Sequence, residues 1–176
     1  MCDSNRGCSG GSGIEKGGSG LLGFSMGSNG AGRNKLALPY NGNRLPLIGG
    51  KSAPVVGPRA MVMEGKSVYI FAVTTVPKVL KEALADASLS VDDVDCFLLH
   101  QANERIIEAI ADRIGVPKAK FIINMDENGN TSAASIPLAL DFAVKSGAIK
   151  KGAVVACAGF GAGLSWGACV FKWEGQ

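Results

Sequence analysis

Three short apolar runs, each followed by a polar or glycine-rich turn, dominate the second half of the chain. The runs are residues 96–99, 121–124 and 153–158, and the turns are residues 100–103, 128–132 and 159–163. Uninterrupted apolar runs of this length are typical of strands that are buried on both faces of a sheet. If the three strands are neighbours, their turns lie along one carboxyl edge, where open α/β sheets place their ligand sites.

Helical periodicity fills the intervals between these runs. Residues 66–87 repeat apolar positions at helical spacing, although Pro77 is expected to kink or split this helix. Asn103 is placed to cap the next helix, which Gly115 should end. Ser132 is placed to cap a further helix, so a helix follows each of the first two turns.

The alternation of helices and strands predicts an α/β fold with a mixed, mostly parallel sheet flanked by helices. Residues 167–173 should close it as a strand antiparallel to residues 153–158, and residues 21–26 should form a short strand. Residues 1–20 are rich in Gly and Ser, which predicts a flexible segment ahead of one domain over residues 21–176. Residues 29–56 carry Gly, Pro and Asn throughout, so we expect a long surface loop there.

Composition narrows the classes of function. A chain of 176 residues with 47% hydrophobic content fits one packed domain, and a net charge of +3 gives no support for nucleic-acid binding. We expect no membrane helix and no secretory signal, because long apolar runs and a basic leader are both lacking. Five cysteines without a C-x-x-C pair, and a single histidine, favour buried reduced thiols over a zinc site.

Two polar residues in the predicted turns are candidates for chemistry. His100 follows the first apolar run, and Asn130 lies in the turn after the second. Taken singly, each has an ordinary structural interpretation, as an isolated histidine and as part of an Asn-Gly-Asn turn. Together on one edge, an imidazole N–H and a carboxamide N–H are suited to stabilising an oxyanion or enolate. The glycine-rich turn at 159–163 either adds backbone N–H donors or is simply a tight hairpin.

Three longer motifs resemble a known family. They are residues 100–106 (HQANERI), 129–140 (GNTSAASIPLAL) and 159–167 (GFGAGLSWG). In this order and at this spacing they resemble the carboxyl-terminal half of β-ketoacyl-acyl-carrier-protein synthase III, a thiolase-fold condensing enzyme that starts fatty-acid synthesis. The resemblance extends over residues 20–173 and is strongest after Asp93. It implies a thiolase-like C-terminal half for residues 21–176.

The resemblance implies roles for individual positions. His100 and Asn130 match the pair that polarises the malonyl thioester carbonyl and stabilises the enolate formed on loss of carbon dioxide. Gly161 and Ala162 match the backbone part of the thioester oxyanion hole. The contact with acyl carrier protein falls on five consecutive residues: Gln101, Ala102, Asn103, Glu104 and Arg105. On charge pattern alone, a solvated basic face around this helix without any partner is the open alternative.

The family also uses a nucleophilic cysteine at the start of an apolar helix, in the half that precedes these motifs. We expect this chain to lack it, because Cys8 is followed by Gly and Ser rather than by an apolar helix. The implied substrates are acetyl-coenzyme A and malonyl-acyl carrier protein, with no cofactor, no metal and no membrane or nucleic-acid partner. The complete enzyme is expected to be a homodimer of the plastid stroma or a bacterial cytoplasm, with the plastid favoured.

Two other functions stay open at this point. A type III polyketide synthase also uses His and Asn, but it accepts coenzyme A thioesters directly, and the match over residues 101–105 argues against it. A truncated chain that acts only as an interaction module is the second alternative. The expected lack of the nucleophile half is the reason to consider it.

Overall fold

The computed structural model describes residues 20–38, 44–46, 52–54 and 61–175. The strands are β1 (Gly20–Ser28), β2 (Leu36–Ala37), β3 (Arg44–Pro46), β4 (Ser52–Pro54), β5 (Val62–Met63), β6 (Cys96–Leu99), β7 (Val154–Gly161) and β8 (Ser165–Lys172). The helices are α1 (Gly65–Asp86), α2 (Glu104–Ile114), α3 (Met125–Asn128) and α4 (Ser135–Lys145). The predicted flexible segment lies outside the described residues except for Gly20, and the predicted loop over residues 29–56 lies partly outside them.

A four-stranded mixed sheet in the order β1-β8-β7-β6 forms the centre of the fold. Strands β6 and β7 are parallel, whereas β8 pairs antiparallel with both β7 and β1. The α/β class, the mixed sheet, the strand over residues 21–26 and the antiparallel closing pair are therefore confirmed, and of the three strand pairings in this sheet one is parallel and two are antiparallel. Two small antiparallel pairs, β2 with β5 and β3 with β4, lie outside this sheet.

The predicted strand over residues 121–124 is wrong as a strand. Only one parallel bridge, Phe97 to Phe121, joins this segment to β6, and the Ile122 N–H donates to the Phe97 carbonyl. Beyond that point the Gln101 side chain takes the place of a backbone ladder. Its amide donates to the Ile122 carbonyl, and its carbonyl accepts from the Asn124 N–H.

Helices cover both faces of the sheet, as the uninterrupted apolar run of β6 predicts. Alternate residues of this strand point to opposite faces. Phe97 and Leu99 pack in a core with α1 and α2, and Cys96 and Leu98 pack in a second core with α4. The carboxyl ends of β6 and β7 are thereby fixed beside the amino end of α4.

Helix α1 runs unbroken for 22 residues with Pro77 inside it, so of the two expected outcomes, a kink or a split, the split is wrong. A proline in a helix interior removes one backbone hydrogen bond. Packing outweighs that loss here, because Pro77 itself is buried together with its neighbours Val76, Val79 and Leu80. Most helical stability in proteins comes from such packing rather than from local propensity.

The predicted cap residues have mixed outcomes. The Asn103 Oδ1 accepts from the Arg105 N–H at 2.9 Å, and Gly115 ends α2 in the left-handed region at φ 74°, so both predictions are confirmed. Ser132 is not the cap of α4. A 3-10 turn, Ser132–Ala134, separates it from the helix, which begins at Ser135 without a side-chain cap.

Candidate active site

A cleft of about 690 Å³ opens at the carboxyl edge of β6 and β7. His100 follows β6 directly, Gly159 and Gly161 belong to the end of β7, and Asn130 reaches the cleft from the segment that precedes α4. Apolar side chains form much of its wall, including Met26, Leu36, Met61, Met63, Phe160 and Trp166. Such a site combines a mostly apolar wall with a few convergent polar groups, as small-molecule sites do.

The structure brings together four of the residues singled out from the sequence. His100, Asn130, Gly161 and Ala162 all line this cleft. Ala102 lines it as well, so the start of the predicted carrier-protein segment reaches the same opening. Their chemical roles stay predictions, but all five residues border the same cleft.

His100 is half-buried and is held from several sides. Its backbone N–H donates to the Ala158 carbonyl of β7 at 2.9 Å. Its ring nitrogen Nδ1 lies 2.7 Å from the Ser135 Oγ, and its ring packs edge-on against Phe160 with centroids 5.4 Å apart. Burial lowers the pKa of His100, because the charged ring loses hydration. The neutral imidazole is therefore the favoured resting form, and Nε2 is the nitrogen left for a ligand.

Asn130 is oriented by its own turn. Its Oδ1 accepts from the Ser132 backbone N–H at 3.0 Å, an Asx-turn contact that only the carbonyl end of the amide can make. The side chain is thereby turned so that its Nδ2 group is the end available for donation. This is the orientation that an oxyanion donor requires.

The glycine-rich turn between β7 and β8 is anchored to the end of β1. Asn29 and Leu164 exchange two backbone hydrogen bonds of 2.7 and 3.0 Å. The Ser165 hydroxyl donates to the Ala162 carbonyl at 2.9 Å, and Gly163 lies in the left-handed region at φ 136°. The turn is thus a tight hairpin, and it also forms one wall of the cleft, while the donor role of its backbone N–H groups stays a prediction.

Gln101 does not belong to an accessible docking surface. Its side chain is fully buried, with 0% relative exposure. The amide donates to the Leu99 and Ile122 carbonyls at 2.9 and 3.0 Å, and its oxygen accepts from the Asn124 N–H. These contacts fix the loop at the end of β6, which corrects the expectation that Gln101 contacts a partner protein. Asn103, Glu104 and Arg105 are exposed, and Ala102 is partly exposed.

The basic character around α2 is weaker than the sequence suggests. Lys118 forms ion pairs with Glu104 at 2.9 Å and Glu108 at 2.5 Å, so its charge is largely compensated. The Lys120 ammonium donates to the Val94 carbonyl. Arg105 forms no ion pair with any residue in the described part of the chain, and it is exposed in the first turn of α2.

Sequence reasoning missed two residues that shape the site. Ser135 is buried in the first turn of α4 and contacts the His100 ring, and Phe160 packs against that ring from β7. Ser135 lies within one of the recognised motifs, but nothing local distinguishes it from the other serines there. Its importance depends on a contact between residues that are 35 positions apart.

Two of the described cysteines, Cys96 and Cys157, are unsuited to act as a nucleophile at this site. Cys8 lies outside the described residues. Cys96, Cys157 and Cys169 are free thiols, as predicted, and Cys96 and Cys157 are buried. Burial, aided by the Asp95 carboxylate, raises the pKa of Cys96 to about 11, and a hydrogen bond with Cys169 together with burial raises the pKa of Cys157. Protonated, buried thiols are inert.

The described residues contain neither a metal-binding cluster nor a membrane-spanning helix. No cluster of three or more His, Cys, Asp or Glu side chains in these ranges is arranged to hold a metal ion. None of the helices in the same ranges combines the length and the apolar character needed to cross a membrane.

Comparison with known proteins gives a consistent result. Residues 84–173 match the profile of a family described as 3-oxoacyl-[acyl-carrier-protein (ACP)] synthase III C terminal. Beta-ketoacyl-[acyl-carrier-protein] synthase III of Synechococcus sp. is 51% identical over 156 residues, which cover 89% of this chain and 46% of that protein. The protein of the same name from Pyropia yezoensis is 48% identical, over 87% of this chain and 47% of its own length.

Solved structures agree with this result. The crystal structure of the Thermus thermophilus beta-ketoacyl-[acyl carrier protein] synthase III superposes with a TM-score of 0.79 and 39% identity. The superposition covers 91% of this chain and 48% of that one. The chain therefore spans about half the length of the curated relatives and structures it matches, and its fold is thiolase-like.

Proposed function

This chain is a member of the 3-oxoacyl-[acyl-carrier-protein] synthase III family, and from that premise we propose that it carries the decarboxylation half of such a synthase's active site. In this proposal the complete enzyme transfers an acetyl unit from coenzyme A to a cysteine. It then condenses that unit with malonyl-acyl carrier protein, releasing carbon dioxide and forming acetoacetyl-acyl carrier protein. The observation that carries the proposal is that His100 and Asn130 line one cleft.

His100 and Asn130 act together on the malonyl thioester oxygen. As carbon dioxide leaves, the remaining electron pair spreads onto that oxygen as an enolate. The Nε2 of His100 and the Nδ2 of Asn130 are the ends that their other contacts leave for the substrate. Removing one such donor typically costs about 100- to 1000-fold in rate. Backbone N–H groups of Gly161 and Ala162 are proposed for the second oxyanion, which forms on the acyl thioester.

The acyl-accepting cysteine is proposed to belong to the part of the family's length that this chain does not span. The buried thiols Cys96 and Cys157 are unsuited to that role, because their raised pKa values keep them protonated. Neither a cofactor nor a metal takes part in the proposed chemistry. We further propose a homodimer and a plastid location, which the relatives in a cyanobacterium and a red alga support without deciding between plastid and bacterium.

Acyl carrier protein is proposed to dock at the amino end of α2. Arg105 is exposed there, and Ala102, three residues earlier, lines the cleft. A cation three residues along the chain from a cleft-lining position attracts an acidic carrier protein toward the opening. Asn103 and Glu104 complete this surface, and Gln101 is left out because it is buried.

The test uses a chimeric synthase, in which this chain is joined to the half of the Synechococcus relative that it does not span. We expect condensation of acetyl-coenzyme A with malonyl-acyl carrier protein and little reaction with malonyl-coenzyme A. Preference for malonyl-coenzyme A would favour the polyketide synthase alternative, and a folded but inactive chimera would favour the interaction module.

A matched pair of variants tests the docking surface. Arg105→Ala should raise the KM for malonyl-acyl carrier protein and leave the transfer of acetyl from coenzyme A unchanged. Lys118→Ala is the control, because two glutamates already compensate that charge. Equal effects of the two substitutions would contradict a specific contact at Arg105.

A further inference from the structure

The Ser135 hydroxyl takes part in three hydrogen bonds, and Ser135 lines the cleft. Its Oγ lies 2.8 Å from the Ser132 carbonyl oxygen, 3.3 Å from the Gln101 backbone nitrogen and 2.7 Å from the His100 Nδ1. The side chain is buried, with 2% relative exposure. Solvent therefore does not compete for these contacts, and the directions of the three bonds can be worked out by counting protons.

Counting the protons and lone pairs of the three contacts leaves one arrangement in which each contact is a hydrogen bond. A carbonyl oxygen only accepts, so the single hydroxyl proton of Ser135 is donated to Ser132. A backbone N–H only donates, so Gln101 takes one lone pair of the Ser135 oxygen. The remaining lone pair faces the His100 Nδ1, which must carry a proton. The reverse arrangement would place the Ser135 and Ser132 oxygens 2.8 Å apart with no proton between them.

We propose that Ser135 is a positioning residue, which holds neutral His100 with its ring proton on Nδ1 and its Nε2 lone pair toward the cleft. The ring nitrogen that faces a ligand is therefore an acceptor in the resting protein. This differs from the expectation, drawn from the sequence, that a neutral imidazole N–H points into the cleft.

The same short segment orients both polar residues of the site. The Ser132 carbonyl accepts from Ser135, which fixes His100, and the Ser132 N–H donates to the Asn130 Oδ1. Ser132 adopts the left-handed region at φ 54°, which is uncommon for a residue other than glycine. The two peptide groups of this residue thus connect the imidazole to the carboxamide.

One consequence rests on the proposed function. To donate to the enolate oxygen, His100 has to take up a second proton at Nε2 from solvent water before carbon dioxide leaves, and it returns that proton to solvent once the enolate has reacted. Its Nδ1–H bond to Ser135 is the same in the neutral and the charged ring, so protonation needs no rearrangement. The groups that face the ring from α4 and β7 are Ser135 and Phe160, which are uncharged, and burial is the one cause of the lowered pKa of His100. The positive charge of the protonated ring therefore has to be stabilised by the negative charge of the substrate.

The experiment uses the 176-residue chain and nitrogen NMR of histidine labelled with ¹⁵N in the ring. The chain has one histidine, so every ring signal belongs to His100. A bare imidazole nitrogen resonates far downfield of a protonated one. Above its pKa, we expect the wild-type ring to show a protonated Nδ1 and a bare Nε2. A protonated Nε2, or the tautomer mixture of free imidazole, would overturn the assignment.

Variants test whether Ser135 is the cause of the Nδ1–H tautomer of His100. Ser135→Ala should shift the neutral ring toward the Nε2–H tautomer, whereas Ser135→Thr, which keeps the hydroxyl, should retain Nδ1–H. Ser146→Ala, at the other end of α4, is the matched control and should leave the ring signals unchanged. An Nδ1–H tautomer that persists in Ser135→Ala would overturn the role of Ser135. The wild-type spectrum decides the tautomer even if this variant does not fold.

This result is separable from the proposed function. An Nε2–H tautomer would overturn the present inference and leave His100 as a neutral donor for decarboxylation. An inactive chimera with an Nδ1–H ring would overturn the function and leave the inference intact.

Discussion

Replacing Gln101 should destabilise the protein far more than replacing a neighbouring surface residue. The Gln101 side chain makes three hydrogen bonds in a fully buried position, to the Leu99 carbonyl, the Ile122 carbonyl and the Asn124 N–H. A neutral hydrogen bond contributes roughly 0.5–1.5 kcal/mol, so Gln101→Ala should lower the free energy of unfolding by about 3 kcal/mol. For a chain of this length that corresponds to a fall in Tm of about 6–12 °C.

Two further variants test whether the buried hydrogen bonds of Gln101 are the cause of this loss of stability. Gln101→Glu places a carboxylate oxygen against two carbonyl oxygens, so the folded state should raise the pKa of the new glutamate. A group whose pKa is raised on folding stabilises less as the pH rises, and this variant should lose stability from about pH 4 to about pH 7. Asn103→Ala removes only an exposed cap and should cost about 1 kcal/mol.

Urea denaturation followed by circular dichroism gives these free energies. If Gln101→Ala costs no more than Asn103→Ala, the side chain does not hold the loop at the end of β6. A pH-independent stability of Gln101→Glu would likewise contradict the bond directions given above.

Two other predictions concern the same assay. The pKa of His100 lies below its ordinary 6.5 in the folded protein, so the unfolded chain binds more protons just below that pH. The free energy of unfolding should therefore fall as the pH drops through 6.5. His100→Gln should remove that part of the dependence of stability on pH. An unchanged dependence would contradict the burial of the ring. Gly23→Ala should be strongly destabilising, because a Cβ there would lie 2.5 Å from the Ala83 carbonyl oxygen of α1. Gly30→Ala, which meets no atom within 4 Å, is its control, and similar free energies for the two variants would refute the close packing of β1 on α1.

The features that sequence predicted well are those with local causes. An uninterrupted apolar run produced β6, an asparagine side chain capped α2, and Gly115 ended that helix because a left-handed residue was needed. The α/β class followed from the alternation of such elements. The sequence predicted His100 and Asn130 at one carboxyl edge of the sheet because each lies in the turn that follows an apolar run.

The features that sequence missed depend on contacts between distant residues. Residues 121–124 have the apolar pattern of a strand, but the Gln101 side chain pairs with the Ile122 carbonyl and the Asn124 N–H, which a strand ladder would need. Pro77 should interrupt α1, but burial on the sheet holds the helix together. The contact of Ser135 with His100 arises only when the first turn of α4 packs against the end of β6.

The most direct measurement separates the two partial reactions of the chimeric synthase. One assay follows release of carbon dioxide from malonyl-acyl carrier protein, and the other follows acetyl transfer from coenzyme A to the cysteine. We predict that His100→Ala and Asn130→Ala each lower carbon dioxide release by about 100-fold or more and leave acetyl transfer largely intact. Normal release of carbon dioxide with loss of acetyl transfer would contradict the assignment of these two residues to decarboxylation.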